Sequence, residues 1–334
     1  AEAPSDPQGS PPPGGPPPGR YEKPGKIRLI VDMRRGNCYF VGPDKVELVT
    51  PTALAQIHLD WDEVMVMTKA DLDNYFYRCR LPEEYWDYFG LPGVVLGDLG
   101  LTPEEREEWA PGIGEEETVF PVLCVIPMGW SHGPLVAQGA HESLLERESA
   151  LKEPARIKES RPWGRQKRGH FCYIDDTVVI VVGPRRLPPA LKAEANRLMR
   201  SALKAYESEG IPVKPEKVEA ADLRMVVLGM SIDGDQGHVG VSPVRRRRLE
   251  AALRRLLQVE VCNGRALACV LGHLTWAFMA RRPLLSILWQ CYRYTRALGR
   301  RVGRLWPEVR AELATAADIL GQAEASLRRE PVSY

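Results

Sequence analysis

Zinc-ligand spacing is absent from this chain. None of its seven cysteines, at positions 38, 79, 124, 172, 262, 269 and 291, forms a C-x-x-C pair, and no Cys/His group is spaced as a tetrahedral site requires. An odd number of scattered cysteines among apolar neighbours also excludes a disulfide framework and reads as buried free thiols in a reducing, intracellular compartment. Missing too are a signal peptide and any uninterrupted apolar run long enough to cross a bilayer, so a membrane is not an expected partner. There is no internal repeat, which excludes a solenoid or propeller. Overall charge offers no lead, since 45 basic and 44 acidic residues leave +1. The first residue is not Met, and the chain reads as a piece of something longer.

What is present is a core-forming composition, 44% hydrophobic and 27% charged over 334 residues, enough for two or three subdomains. The charge is uneven. Residues 241–310 hold fifteen Arg and no Lys against Glu250, Glu260 and Glu308, a local +12 that points to a polyanion-binding surface. Acidic stretches such as TPEEREEW (102–109) cancel it elsewhere. Residues 1–20 are Pro/Gly-rich and read as a disordered linker. KIRLIVDMRRGNCYFV (26–41) alternates like paired strands, and EVMVMTKADLDNYFYRCRL (63–81) begins as a strand and turns helical around its acids. Residues 90–118 read as a loop-bearing insertion, and VFPVLCVIPMGW (119–130) is strand-like. Helices are expected after Pro134 and over 189–210, the latter ending at Gly210. From 243 onward the pattern is helical throughout, with Leu249, Leu253, Leu256 and Leu257 on one face and Leu267, Val270, Leu271, Leu274 and Phe278 on another.

The stretch HFCYIDDTVVIVVG (170–183) places two acids, Asp175 and Asp176, inside an apolar β-branched run. A hairpin with strands at 170–174 and 177–182 accommodates them, but Asn-Gly or Asp-Gly makes a better tip. Two adjacent carboxylates make sense as ligands of a divalent cation, because buried charge must be paired or hold a metal. Asp71, at the end of the apolar strand VMVM, is the candidate third carboxylate. Three carboxylates suit Mg²⁺ and two-metal phosphoryl transfer.

With its neighbours, this set resembles the right-hand polymerase core of reverse transcriptases, from about residue 22 to 240 and in that family's motif order. GKIRLIVDMRRGN looks like the fingers motif, DLDNYFYRCRLP like the first palm motif, and IPMGWSHGPLVAQ like the motif reading Leu-Pro-x-Gly, then Ser-Pro and a terminal Gln. YIDD is the family's Tyr-x-Asp-Asp form. GIPVKPEKVE resembles the Lys-bearing motif that follows, and VVLGMSID the primer-gripping strand. The implied fold is α+β, a fingers–palm with an antiparallel palm sheet followed by an all-helical, Arg-rich thumb or connection-like region. Its implied boundaries are 21–60 for partial fingers, 61–242 for palm with the insertion at about 90–125, and 243–334 for the helical region. Departures are Gly133 where Ser usually precedes Pro134, Asn74 where many relatives carry an acid, and Leu228 in place of Phe.

The resemblance implies an RNA-directed DNA polymerase, part of a retroelement polyprotein, that extends a primer 3′-OH with dNTPs. Its implied partners are an RNA template, a DNA primer, the RNA–DNA duplex and dNTPs. By that likeness Asp71, Asp175 and Asp176 hold two Mg²⁺ ions, with Mn²⁺ as the alternative, and Lys217 acts on the leaving pyrophosphate. Arg28, Phe76, Met128, Gly129 and Gln138 lie at the nucleotide, with Phe76 excluding a 2′-hydroxyl; Asp32, Arg34 and Asn37 set the fingers hairpin. Tyr173, Leu228 and Gly229 lie at the primer terminus. Arg245, Arg246, Arg247, Arg248, Arg254 and Arg255 meet duplex phosphates.

Each assignment has a plainer counterpart: turn acids, a core Phe76, a solvated Lys217. The arginine helix is taken as a cationic face without acids one turn away to balance it, so phosphate binding is preferred to a salt-bridged surface. Trp276, Trp289, Tyr292 and Tyr294, at helical spacing among Leu, are taken as core and His273 as structural. The competing function is a domesticated, non-catalytic reverse-transcriptase-like module that binds nucleic acid.

Overall fold

The computed structural model describes residues 31–329; the expected linker at 1–20 and Arg28 lie outside them. Strand β1 (Glu63–Asp71) starts the central sheet. Strands β2 (Arg168–Tyr173) and β3 (Asp176–Pro184) form a hairpin, β3 pairing antiparallel with β1 from Glu63↔Pro184 to Asp71↔Asp176. β4 (Glu219–Asp222) joins the far edge of β1, giving the order β2-β3-β1-β4. Val66, Ala70, Val179 and Val181 face one core, and Met65, Met67, Val178, Ile180 and Val182 face another. Burial on both faces is why these strands read as continuous apolar runs.

Helices α1 (Gly133–Glu148) and α2 (Pro188–Ser208) belong to the first core, into which α2 sends Leu198, Met199, Ala202 and Tyr206. A second antiparallel sheet serves the other face: β5 (Arg224–Val227), β6 (Met230–Asp233), β7 (His238–Val241) and β8 (Glu324–Ser326), in the order β8-β7-β6-β5. Met225, Val227, Met230, Ile232 and Val239 bury against the central sheet in one shared core. Beyond it α3 (Pro243–Gln258), α4 (Gly264–Phe278), α5 (Trp289–Leu298) and α6 (Pro307–Ile319) enclose a core of their own around Leu253, Leu267, Leu271, Leu274, Phe278 and Leu313.

Several local expectations are corrected. The described part of 26–41 contains no strand; Gly36–Tyr39 is a 3₁₀ turn, because the Asn37 side chain is recruited by the 129–131 loop instead of facing a sheet. In 119–130 pairing is limited to Thr118–Val119 with Val94–Val95 and to isolated bridges at Val122 and Val125, Pro121 and Pro127 interrupting a ladder. The insertion holds a helix at Pro103–Trp109 with a full capping box between Thr102 and Glu105. The tail is not all helix. Val261–Asn263 pairs with Val302–Arg304, and the helical pattern expected throughout ends its last α-helix at Ile319, beyond which β8 returns to the second sheet. Cys38 and Cys269 are exposed rather than buried. Tyr294 is fully buried, but Trp289 is 65% and Tyr292 41% exposed, and His273 is exposed too: helical spacing located the helix but not how far its apolar face is covered.

Candidate active site

The pairing of β1 with β3 ends on Asp71 directly opposite Asp176. Like charges facing each other across an antiparallel pair oppose folding, so nothing in the sheet's own energetics selects this register end. Such a local conflict inside an otherwise consistent sheet marks a functional position. Tyr173 pairs with Asp176, leaving Ile174 and Asp175 as the two-residue turn. Ile174 has φ +57°, a conformation a β-branched residue adopts only under outside constraint. The turn is tied to β1 by the Leu72 N–H, which donates to the Asp175 carbonyl at 2.9 Å.

Asp71 is 7% exposed and holds two lysines. Lys214 Nζ donates to its Oδ1 and Lys217 Nζ to its Oδ2, the latter at 2.5 Å. Burial would raise the Asp71 carboxyl, but the hydrogen bonds from Lys214 and Lys217 outweigh it and leave it below the ordinary carboxylate range. Asp176 is pushed up to about 6 by burial and by the charges of Asp175 and Asp71. Burial also raises Asp175, with Asp71 adding to it, while the hydrogen bond to Asp71 raises Lys217. The backbone brings the three expected acids together at one end of the sheet, where Asp71 is engaged by Lys214 and Lys217. Among the described residues no three acidic, His or Cys side chains group as a coordination site. Three carboxylates repel one another, and the ammonium groups supply the positive charge that offsets this. Carboxylate oxygens are the donor type that Mg²⁺ takes.

Phe76 lies one 3₁₀ turn beyond β1, half-buried, against the start of α1. A Cβ on Gly133 would meet Ile126 at 3.0 Å and the Phe76 ring at 3.4 Å, so glycine there lets the helix start seat close to that ring. Gly129 has φ +111°, and a Cβ would stand 3.0 Å from the Val31 carbonyl; its own carbonyl accepts from Asn37 Nδ2 at 3.0 Å, and Asn37 Oδ1 accepts the Ser131 N–H at 2.9 Å. Met128 is half-buried beside it. Asp32 and Arg34 form a local exposed pair. Gln138 differs from its expected role. It is 4% exposed, and its amide is engaged by the hairpin and by its own helix: Oε1 accepts the Ile174 N–H at 2.8 Å, while Nε2 donates to the Cys172 carbonyl at 3.0 Å and to Glu142 Oε1 at 2.9 Å. Facing the turn from inside the core, it is a scaffold group in this structure.

On the other side of Tyr173 stands the β5–β6 turn, where Leu228 (φ +51°) and Gly229 (φ +77°) are both left-handed, the geometry of a tight two-residue hairpin. Trp276 joins the two sides: its ring lies edge-on to Tyr173 at 6.4 Å, and its Nε1 donates to the Leu228 carbonyl at 2.9 Å. The half-buried Arg245 guanidinium lies where a Gly229 side chain would be. Arg246, Arg247, Arg248, Arg254 and Arg255 are exposed along α3, but not without acid: Glu250 approaches Arg246 at 3.5 Å and Arg254 at 3.6 Å. Sequence reasoning missed Lys214, signalled by its place three residues before Lys217 in KPEK, and the buried His141, whose hydrogen bond with the Ile174 carbonyl had no signal short of the tertiary contacts.

The family described as reverse transcriptase (RNA-dependent DNA polymerase) matches residues 18–232. Among solved structures, a foamy viral protease–reverse transcriptase in complex with double-stranded DNA is similar at a TM-score of 0.56 and 14% identity, over 90% of this chain and 42% of that one. The foamy viral protease–reverse transcriptase in complex with RNA/DNA hybrid gives 0.55 at 14% identity, over 88% and 32%. At that identity the likeness is one of fold, and this chain spans between 32% and 50% of the length of those it matches. No curated protein matches the sequence.

Proposed function

The chain belongs to the reverse transcriptase (RNA-dependent DNA polymerase) family, and on that footing we propose that it extends a primer 3′-OH with dNTPs on an RNA template, as part of a retroelement polyprotein. The observation that carries this reading is the register end of the central sheet, where Asp71 faces Asp176 with Asp175 in the adjoining turn.

In this reading Asp71, Asp175 and Asp176 would hold two Mg²⁺ or Mn²⁺ ions, whose chemistry when bound would be to activate the attacking oxygen and stabilise the leaving one. Lys217, whose ammonium stands 2.5 Å from Asp71 Oδ2 at the acid end of the sheet, would give a proton to the departing pyrophosphate. Phe76, seated against Gly133, closes the space a 2′-hydroxyl would need. Met128 and Gly129 border the incoming nucleotide, the backbone at Gly129 being held by Asn37. Tyr173 and the Leu228–Gly229 turn, locked to each other by Trp276, form the seat of the primer terminus. Arg245 and the exposed α3 arginines take phosphates of the template–primer duplex.

A non-catalytic nucleic-acid-binding module is the second reading, favoured by the closed contact of Asp71 with Lys214 and Lys217. Primer extension on an RNA template with Mg²⁺, offering dNTPs or rNTPs, separates the two. Extension with dNTPs that disappears in Asp175→Ala/Asp176→Ala supports the polymerase; salt-sensitive duplex binding without extension supports the module.

A further inference from the structure

We propose that His141, acting with Gln138, is a positioning residue that holds Asp175 and Asp176 in place by capturing both backbone polar groups of Ile174; the role rests on the polymerase reading. Gln138 and His141 are three residues apart on α1, about one turn, and face the hairpin together. Gln138 accepts the Ile174 N–H, and His141 Nδ1 bonds the Ile174 carbonyl at 2.7 Å. A carbonyl only accepts, so Nδ1 carries the proton and Nε2 is a bare acceptor. That acceptor is met by the Tyr206 hydroxyl at 2.7 Å, with Thr177 Oγ1 at 2.6 Å from the Tyr206 oxygen and 3.0 Å from Nε2. His141 and Tyr206 are 0% exposed and Thr177 1%. Burial pushes the imidazole down to about 4, so it is neutral in the tautomer the contacts require.

A leucine would fill a fully buried helical position without needing partners, so packing alone does not select histidine there. Nor does the turn sequence select its own shape, since Ile174 is a poor residue for φ +57° where Gly or Asn would sit without strain. The conformation is imposed from α1 through two hydrogen bonds on one residue, and the adjoining Asp175 and Asp176 inherit their direction from it. Buried groups that orient metal ligands through one intervening residue act on affinity and turnover.

The test uses His141→Leu, which keeps volume and removes the donor, His141→Asn, which can restore a donor near Nδ1, and Tyr206→Phe, which leaves that donor in place. Two readouts are taken on the full chain: Mg²⁺ binding by calorimetry without substrates, and steady-state primer extension. The expected result is a loss of about 10–100-fold in Mg²⁺ affinity and in kcat for His141→Leu. Duplex Kd should be unchanged, recovery in His141→Asn substantial, and the effect of Tyr206→Phe smaller. His141→Leu with wild-type Mg²⁺ affinity and kcat but a lowered Tm overturns the proposal, as does His141→Asn behaving no better than Leu. Should His141→Leu fail to fold, Gln138→Met, which removes the other bond to Ile174, takes its place: a comparable loss of Mg²⁺ affinity supports the clamp, and wild-type affinity overturns it. A wild-type chain that binds Mg²⁺ but extends no primer defeats the polymerase reading, while the calorimetric comparison still decides the clamp.

Discussion

The acid end of the central sheet and the basic face of α3 handle charge in opposite ways. Asp71, Asp175 and Asp176 are buried or half-buried, crowd one another, and are held by backbone pairing, two lysines and a strained turn. Most of the α3 arginines stand in solvent, with Glu250 shared loosely between Arg246 and Arg254. Exposed pairs of this kind contribute about 0–1 kcal/mol and are screened by salt. In the polymerase reading, charge that the fold must force together is where chemistry would be fixed in place, whereas charge that sits freely in water would be available to a polyanion at little cost to the fold.

The difference is broken most sharply by removing the forced charge. Asp175→Ala/Asp176→Ala should lower primer extension by roughly a thousand-fold or more, because metal-held charge supplies several kcal/mol at the transition state. Duplex affinity, measured by anisotropy, should stay near wild type. Phe76→Ala leaves both charged regions alone and should reduce discrimination between dNTPs and rNTPs by about 10–100-fold in kcat/KM, the scale on which an apolar pocket rejects an added hydroxyl. Unchanged selectivity would return Phe76 to a purely structural role. Arg254→Ala/Arg255→Ala should weaken duplex binding several-fold with kcat intact, and reduce the slope of log K against log salt by about 0.9 for each phosphate no longer neutralised. A salt slope equal to wild type would place the duplex elsewhere.

The smallest effect is on stability, and its sign differs between two facing acids. Asp176, raised to about 6, binds more protons folded than unfolded between pH 3.8 and 6, so its contribution is full below the unfolded value and is lost as pH rises through that window. Asp71, lowered by its lysines, contributes stability above the unfolded value that is lost as pH falls below it. Asp176→Asn should therefore raise the Tm of the metal-free chain at pH 7 but not at pH 4, by about 1–2 °C for each kcal/mol relieved. A Tm unchanged at both pH values would mean that solvent relieves the crowding.

Much of the fold was legible because its signals are local. The runs at 63–71 and 176–184 have the apolar continuity of strands buried on both faces, and the helix ending near Gly210 carries its own stop. The Asp71, Asp175 and Asp176 grouping was legible through the motif order. Other features were hidden because they depend on what a segment meets. Asn37 looked like part of a strand until the 129–131 loop claimed its side chain, and Gln138 looked like a ligand-facing group until the hairpin consumed its amide. Glu250 was overlooked as a partner although it lies four residues from both Arg246 and Arg254.

The sequence by itself determined the central strands, the main helices, the family and the acids, since periodicity, caps and motif order are properties of neighbours along the chain. Only the tertiary structure decided which acid the lysines hold, that Trp276 links Tyr173 to the Leu228–Gly229 turn, that β8 returns to the second sheet, and that His141 and Gln138 grip the turn at Ile174. The physical reason is common to all four. A hydrogen bond or ion pair is selected by atoms arriving within about 3 Å from separate elements, and composition along the chain does not encode that meeting until the cores have packed.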